Sequence, residues 1–136
     1  MNKIIYLLAL LPMFANAWEL NQNDVAVQAS NQTPSTFAVY TGDKRVIIGK
    51  VLDNCYLKTT AERIIEVNNQ PLKFNVHCES NVEYSAPISQ AAQDYMIKQF
   101  RNSITVKVGD DSFSASGFDE IVKQLNLRLK RNKTAL

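Results

Sequence analysis

Histidine, cysteine, glycine and proline are all scarce in this chain, and neither sign of charge dominates. There is one histidine, there are two cysteines and four each of glycine and proline, and 15 basic side chains face 13 acidic ones. Each shortage excludes something. A lone histidine, with no second imidazole, no further thiol and no aspartate placed beside it, builds neither a metal shell nor a nucleophile–base–acid triad. The cysteines, Cys55 and Cys78, lack the C-x-x-C spacing with which a redox-active dithiol stabilises its thiolate. So little glycine and proline leaves no low-complexity linker, and no internal repeat is present. The near balance of charge gives no reason to expect nucleic acid as a partner. No catalytic motif occurs, so no metal, no cofactor and no enzymatic activity are expected.

Long hydrophobic runs are also missing, except at the start. Residues 1–17 join Met-Asn-Lys to the apolar run Ile4-Ile5-Tyr6-Leu7-Leu8-Ala9-Leu10-Leu11, then Pro12 and the small-residue exit Ala15-Asn16-Ala17. A basic start, an apolar core and an A-x-A exit make a cleavable secretory signal. The run is shorter than the roughly 20 apolar residues that span a bilayer, and no later segment reaches that length. Cleavage after Ala17 is expected, leaving residues 18–136 as a single periplasmic or secreted domain without a transmembrane segment. No cysteine stands directly after the cleavage point, so a lipid anchor there is not expected. The signal holds one base, Lys3, and no acid, so the mature balance is 14 minus 13, or +1.

What the mature chain does contain is β patterning. Leu72, Phe74, Val76 and Cys78 alternate with polar residues, which predicts a half-buried strand carrying His77 on its outer face. Runs at 36–40 and 45–52 flank Thr41-Gly42-Asp43-Lys44, whose Gly-Asp pair suits a hairpin turn. The second of these runs has few polar breaks and reads as the centre of a sheet. Residues 63–67 and 72–78 flank Asn68-Asn69-Gln70-Pro71, with Pro71 restricted to the turn or the first strand position. A third hairpin joins Ile104, Val106 and Val108 to Phe113 and Ala115 through Gly109-Asp110-Asp111. Residues 18–35, rich in Asn, Gln and Ser, form either an edge strand near 25–29 or a loose arm.

Two helices are predicted. Residues 79–86 read as a polar connection, followed by Pro87 at a first helical position or Ser89 as N-cap, and by a stripe of Ile88, Ala91, Ala92, Tyr95, Met96 and Phe100 over 89–101. Ser116-Gly117-Phe118-Asp119 resembles a capping box opening a closing helix whose apolar face is Phe118, Ile121, Val122, Leu125 and Leu129. The expected fold is α+β, an antiparallel sheet or sandwich of about six to seven strands with two amphipathic helices and one disulfide.

In an exported chain Cys55 and Cys78 are most simply one structural disulfide, side by side if the strands that end at them are neighbours. The candidate interaction surfaces are His77 and the cationic end of the closing helix, Arg128, Lys130, Arg131 and Lys133, whose plainer role is to suit the negative end of the helix dipole. Asp110-Asp111 and Asp119-Glu120 are explained by turn chemistry and by the positive end of a helix, and neither has the spacing of a calcium loop.

The order of apolar strand, cysteine, polar loop, Pro-led helix, strand pair and closing Gly-Phe helix resembles the invasion-associated locus B type of small exported bacterial proteins. The residues carrying the likeness are 72–78, 86–100, 104–108 and Phe113-Ser114-Ala115-Ser116-Gly117-Phe118. The resemblance implies a disulfide-linked, β-rich periplasmic domain with envelope or host-interaction roles, and it brings no site residue with it. The leading expectation is therefore a non-enzymatic binding or accessory protein of the bacterial envelope whose partner is an envelope or extracellular protein. An inhibitor or immunity protein that blocks an envelope enzyme or toxin is the alternative, followed by a small hydrolase.

Overall fold

A computed structural model describes residues 17–55 and 59–135, so the predicted signal, residues 1–17, lies outside the described residues except for Ala17. The described chain is α+β. Its strands are β1 (Glu19–Leu20), β2 (Ala26–Ala29), β3 (Thr36–Tyr40), β4 (Val46–Val51), β5 (Ala61–Val67), β6 (Gln70–Glu79), β7 (Val82–Pro87), β8 (Thr105–Val108) and β9 (Asp111–Ser114). Helix α1 (Gln90–Asn102) precedes β8, and α2 (Phe118–Thr134) closes the fold. All nine strands form one antiparallel sheet in the order β1-β2-β3-β4-β7-β6-β5-β8-β9, more than the six or seven expected.

Sequence periodicity missed the two-residue edge strand β1 and also β7, which occupies the middle of the sheet. Its inner positions are Glu83, Ser85 and Pro87, so the apolar alternation that marks a half-buried strand is absent. The turn before it, Ser80-Asn81, takes positive φ at both residues (51° and 62°), as the tight turn between β6 and β7 requires. Pro87 therefore ends a strand instead of opening a helix, and β4 lies beside the centre, paired with β7. The Asn68-Asn69 turn has the same geometry, with φ of 46° and 69°. Pro71 sits one position into β6, opposite Glu66 and beyond the end of the β6–β7 ladder, so its missing N–H breaks no ladder bond on that side.

Ser89 caps α1 as its sequence suggests, its Oγ accepting from the Ala92 N–H at 3.0 Å. The expected capping box at α2 does not form. The N-cap there is Gly117 at φ 77°, a left-handed conformation open to glycine, and no side chain caps the helix. Asp119 instead pairs with Arg101 at 3.2 Å and ties the end of α1 to the start of α2.

The sheet is strongly curled, and both helices pack on its concave side, α1 against β4, β7, β8 and α2, and α2 against β1 and β2. Phe74, Val76, Val106, Phe113, Met96, Phe100, Phe118 and Leu125 fill the space between. Trp18 anchors one corner, making edge-on contacts with Phe100 and Phe118 at centroid distances of 5.3 and 5.0 Å. Curling brings β9 back to the β2 end of the sheet. There the polar residues of the lead-in form a seam: Asn31 N–H donates to Ser112 O at 2.8 Å, Gln32 Oε1 accepts from Ser112 N–H at 2.7 Å, and Ser30 Oγ donates to Asp111 Oδ1 at 2.7 Å. The Asn/Gln/Ser-rich stretch is thus the closure of the sheet, satisfying edge groups that would otherwise be open to another chain.

Candidate functional site

Cys55 and Cys78 are disulfide-bonded, with Cα atoms 5.6 Å apart. The route differs from the one expected. Cys55 lies in the connection after β4, not at its end, and β4 and β6 are not neighbours because β7 runs between them. The bond therefore reaches across β7, where the Glu83 carboxylate lies within 4.8 Å of both sulfurs. With the sulfurs bonded to each other, that cluster retains only a carboxylate as an effective cation ligand.

His77 is exposed on the convex face, as its alternation predicts, and stacks on its cross-strand partner Tyr84 at 5.6 Å. Among the described residues no carboxylate is hydrogen-bonded to it. Arg128 is engaged within the fold, where its Nη1 donates to Asp24 Oδ1 and to Asn21 O, each at 3.2 Å, while Asn132 Nδ2 donates to Asp24 Oδ2 at 2.9 Å. These bonds hold α2 against the β1–β2 turn. Lys130, Arg131 and Lys133 stay exposed, and among the described residues none makes an ion pair.

A different constellation emerges where α1, α2 and the β3–β4 turn meet. A cleft of about 550 Å³ opens there, a size that suits a side chain or a small ligand. Its apolar lining is Tyr40, Ile97 and Val122, its amides are Asn102 and Asn126, and its charges are Lys44, Lys98, Arg101 and Asp94. Three cations and one acid thus line the cleft, with Arg101 already paired to Asp119 at 3.2 Å. Lys44 and Lys98 make no ion pair among the described residues, and Asp94 accepts a hydrogen bond from Gln90 Nε2 at 2.9 Å.

The local structure explains why these groups converge. Asp94, Lys98 and Arg101 follow one another at spacings of four and three on α1, which puts them on one face of the helix. Lys44 is presented by the turn, where Gly42 at φ 96° lets the backbone pass close under α2; a Cβ at that position would come within 2.7 Å of Leu129 Cδ1. The turn is braced by Asp43, which accepts from Thr41 Oγ1 and from Arg45 Nη2. Partial burial pushes the Asp43 carboxyl up, but those hydrogen bonds and the guanidinium charge outweigh it and hold the group below its ordinary value of 3.8.

Tyr40 lies 4% exposed on the cleft's inner side. Burial raises its hydroxyl above the ordinary 10.0, only partly offset by a hydrogen bond from the Lys44 backbone N–H and by the nearby Arg101 charge. The cleft thus offers a neutral hydroxyl, two amides and two cations without an ion pair, beside the Asp119-paired Arg101, the equipment to hold an anionic group.

Sequence reading did not single out this cleft, because its residues come from three separated segments. The one local signal was the Asp94, Lys98, Arg101 spacing on a helix whose apolar stripe was already clear. The expected cationic surface joins it in part: Val122, Asn126, Lys130 and Lys133 recur at four, four and three along α2, so Lys130 and Lys133 continue the stripe that lines the cleft. Comparison with models of protein families, with curated proteins and with solved structures found no match for this chain. Among the described residues no helix is long and apolar enough to cross a membrane.

Proposed function

We propose that this chain is an exported, non-enzymatic binding protein of the bacterial envelope that takes an acidic segment of a partner protein into the α1–α2 cleft. The observation that carries this reading is the pair Lys44 and Lys98, which make no ion pair among the described residues and stand around the recess beside Arg101, whose charge Asp119 shares. A partner's Asp or Glu side chain would reach Tyr40 Oη and the Asn102 and Asn126 amides, while further acids would lie along Lys130 and Lys133 on the same helix stripe. The recess favours a side chain over a membrane surface. Lys44 comes from the β3–β4 turn and Lys98 and Arg101 from α1, around a concavity that a side chain can enter and a flat bilayer surface cannot.

Export is part of the reading. Trp18, the first buried side chain among the described residues, directly follows the Ala15-Asn16-Ala17 exit. The disulfide is compatible with an oxidising compartment such as the periplasm. The resemblance to invasion-associated locus B proteins points the same way.

The test is site-specific photocrosslinking in intact cells, with the probe placed at Asn102 on the cleft rim or at His77 on the opposite face. The expected result is a discrete protein adduct from Asn102 that disappears when Lys98→Glu is added, with none from His77. An adduct that forms only at His77, or one at Asn102 indifferent to Lys98→Glu, would refute the assignment. Adducts to lipid in place of protein would refute the partner class.

A further inference from the structure

Strand β5 pairs with β6 along its whole length, from Ala61 to Val67, but with β8 only where Val67 faces Val108. Beyond that rung the chain turns back through Gly109-Asp110 into β9. β5 therefore runs on past the tip of the β8–β9 hairpin, and among the described residues no strand lies beside 61–65 on that side. Two recesses border the open stretch. One of about 360 Å³ lies between Ile64, Ile65 and the β8–β9 turn, and a strand-walled one of about 310 Å³ on the concave side is reached by Arg63 and Ile65.

The last rungs fix which backbone groups face this gap. Gly109 N–H donates to Glu66 O and Asn68 N–H donates to Lys107 O, each at 2.9 Å. Alternate residues of a strand aim their N–H and C=O to the same side, so those of Glu62 and Ile64 point into the gap while Arg63 and Ile65 bond to β6. Ile64 is also 69% exposed. Unpaired backbone groups on a strand with an exposed isoleucine are a template for another strand.

The side chains say which strand fits. On the convex face the open stretch presents Glu62 and Ile64. Glu62 makes no ion pair among the described residues, and its neighbour across the β5–β6 ladder is the neutral Asn75, with Lys73 only diagonal to it. Lys107 lies beside Asn68, at the opposite end of β5. On the concave face Arg63 is already engaged by Glu83 at 3.3 Å. A second copy of the chain is a poor occupant, because a two-fold pairing centred on residue 62, 63 or 64 sets Glu62 against Glu62, Arg63 against Arg63 or Glu62 against Glu66. Like charges directly opposite each other destabilise a ladder.

We propose that the open edge of β5 is a docking site for an extended segment of a partner protein, added as an antiparallel strand with an apolar side chain opposite Ile64 and a basic one two residues on, opposite Glu62. The site shares no residue with the α1–α2 cleft, and the two stand or fall separately.

The experiment is hydrogen-exchange NMR of the purified protein with the end-capped peptide Thr-Thr-Val-Thr-Lys-Thr-Thr. In the free protein the Glu62 and Ile64 amides should exchange freely while those of Arg63 and Ile65 are protected, and the peptide should protect Glu62 and Ile64 saturably. Glu in place of the peptide's Lys should weaken binding roughly fivefold or more. Ile64→Pro removes an N–H that faces the gap and none that bonds to β6, and it should abolish binding. If that variant does not fold, Glu62→Lys should reverse the preference between the two peptides. The cleft variant Lys98→Glu should leave peptide binding unchanged. Absence of protection at Glu62 and Ile64, equal binding of the Glu peptide, or binding retained in folded Ile64→Pro would overturn the proposal. So would protection of the same amides that grows with protein concentration alone, which would make a second copy the occupant.

Discussion

Tyr40 carries two loads, because its ring packs edge-on against Phe118 at a centroid distance of 5.7 Å while its hydroxyl borders the cleft. Since burial raises its ionisation above the ordinary 10.0, the folded state holds the proton more tightly than the unfolded chain. By linkage, stability from this group is intact below pH 10.0 and declines as pH rises from there through the raised folded value. Denaturation of wild type and Tyr40→Phe across that range should show the wild type losing more stability, and parallel curves would contradict it. Asp43 behaves in the opposite sense: its lowered carboxyl supports the turn above about pH 3.8 and gives up that support as pH falls through its depressed value. With Asp43 and Arg45 both substantially exposed, this contribution is small. His77, stacked on Tyr84 in the open, is the control residue: His77→Ala should cost under about 1 kcal/mol and leave partner binding unchanged.

At the scale of elements, the disulfide and the α1 cap set separate measurable contributions. Cys55 and Cys78 are 23 residues apart in sequence, and the bond ties the β4–β5 connection to β6 across the central strand. Replacing both by alanine should cost about 3 kcal/mol on the loop-entropy account, read as a lowered urea midpoint without loss of the native near-ultraviolet spectrum. Ser89→Ala should remove the cap on Ala92 N–H and cost about 1 kcal/mol by the same assay. These elements also show what patterning can and cannot reveal. The hairpins around Gly42 and Asn68-Asn69 and the face of β6 were legible because apolar alternation and turn residues agreed. Strand β7 was not, because Ser85 and Glu83 stand where apolar residues would normally mark a core face. The α2 cap misled because Ser116 has the right chemistry one residue before the position that the backbone uses.

For the molecule as a whole, the curled sheet leaves a cationic cleft at one end of the β3–β4 hairpin and a strand-walled recess of mixed charge at the other. Neither was visible in the sequence, since each gathers residues from distant strands or helices. Only the Asp94, Lys98, Arg101 spacing on α1 and the helix-end lysines hinted at the first. The net charge of the chain is small, so binding at the cleft depends on where its cations lie, and affinity should fall as ionic strength rises toward a Debye length of about 8 Å at physiological salt. The central claim is best tested by NMR titration of the isotope-labelled protein with a glutamate-rich peptide. The account predicts saturable shifts confined to Gly42, Lys44, Lys98, Arg101 and Asn126 and their neighbours along Lys130 and Lys133, lost in Lys44→Gln/Lys98→Gln. Shifts centred on His77 and Tyr84, or binding that survives the double substitution, would contradict it.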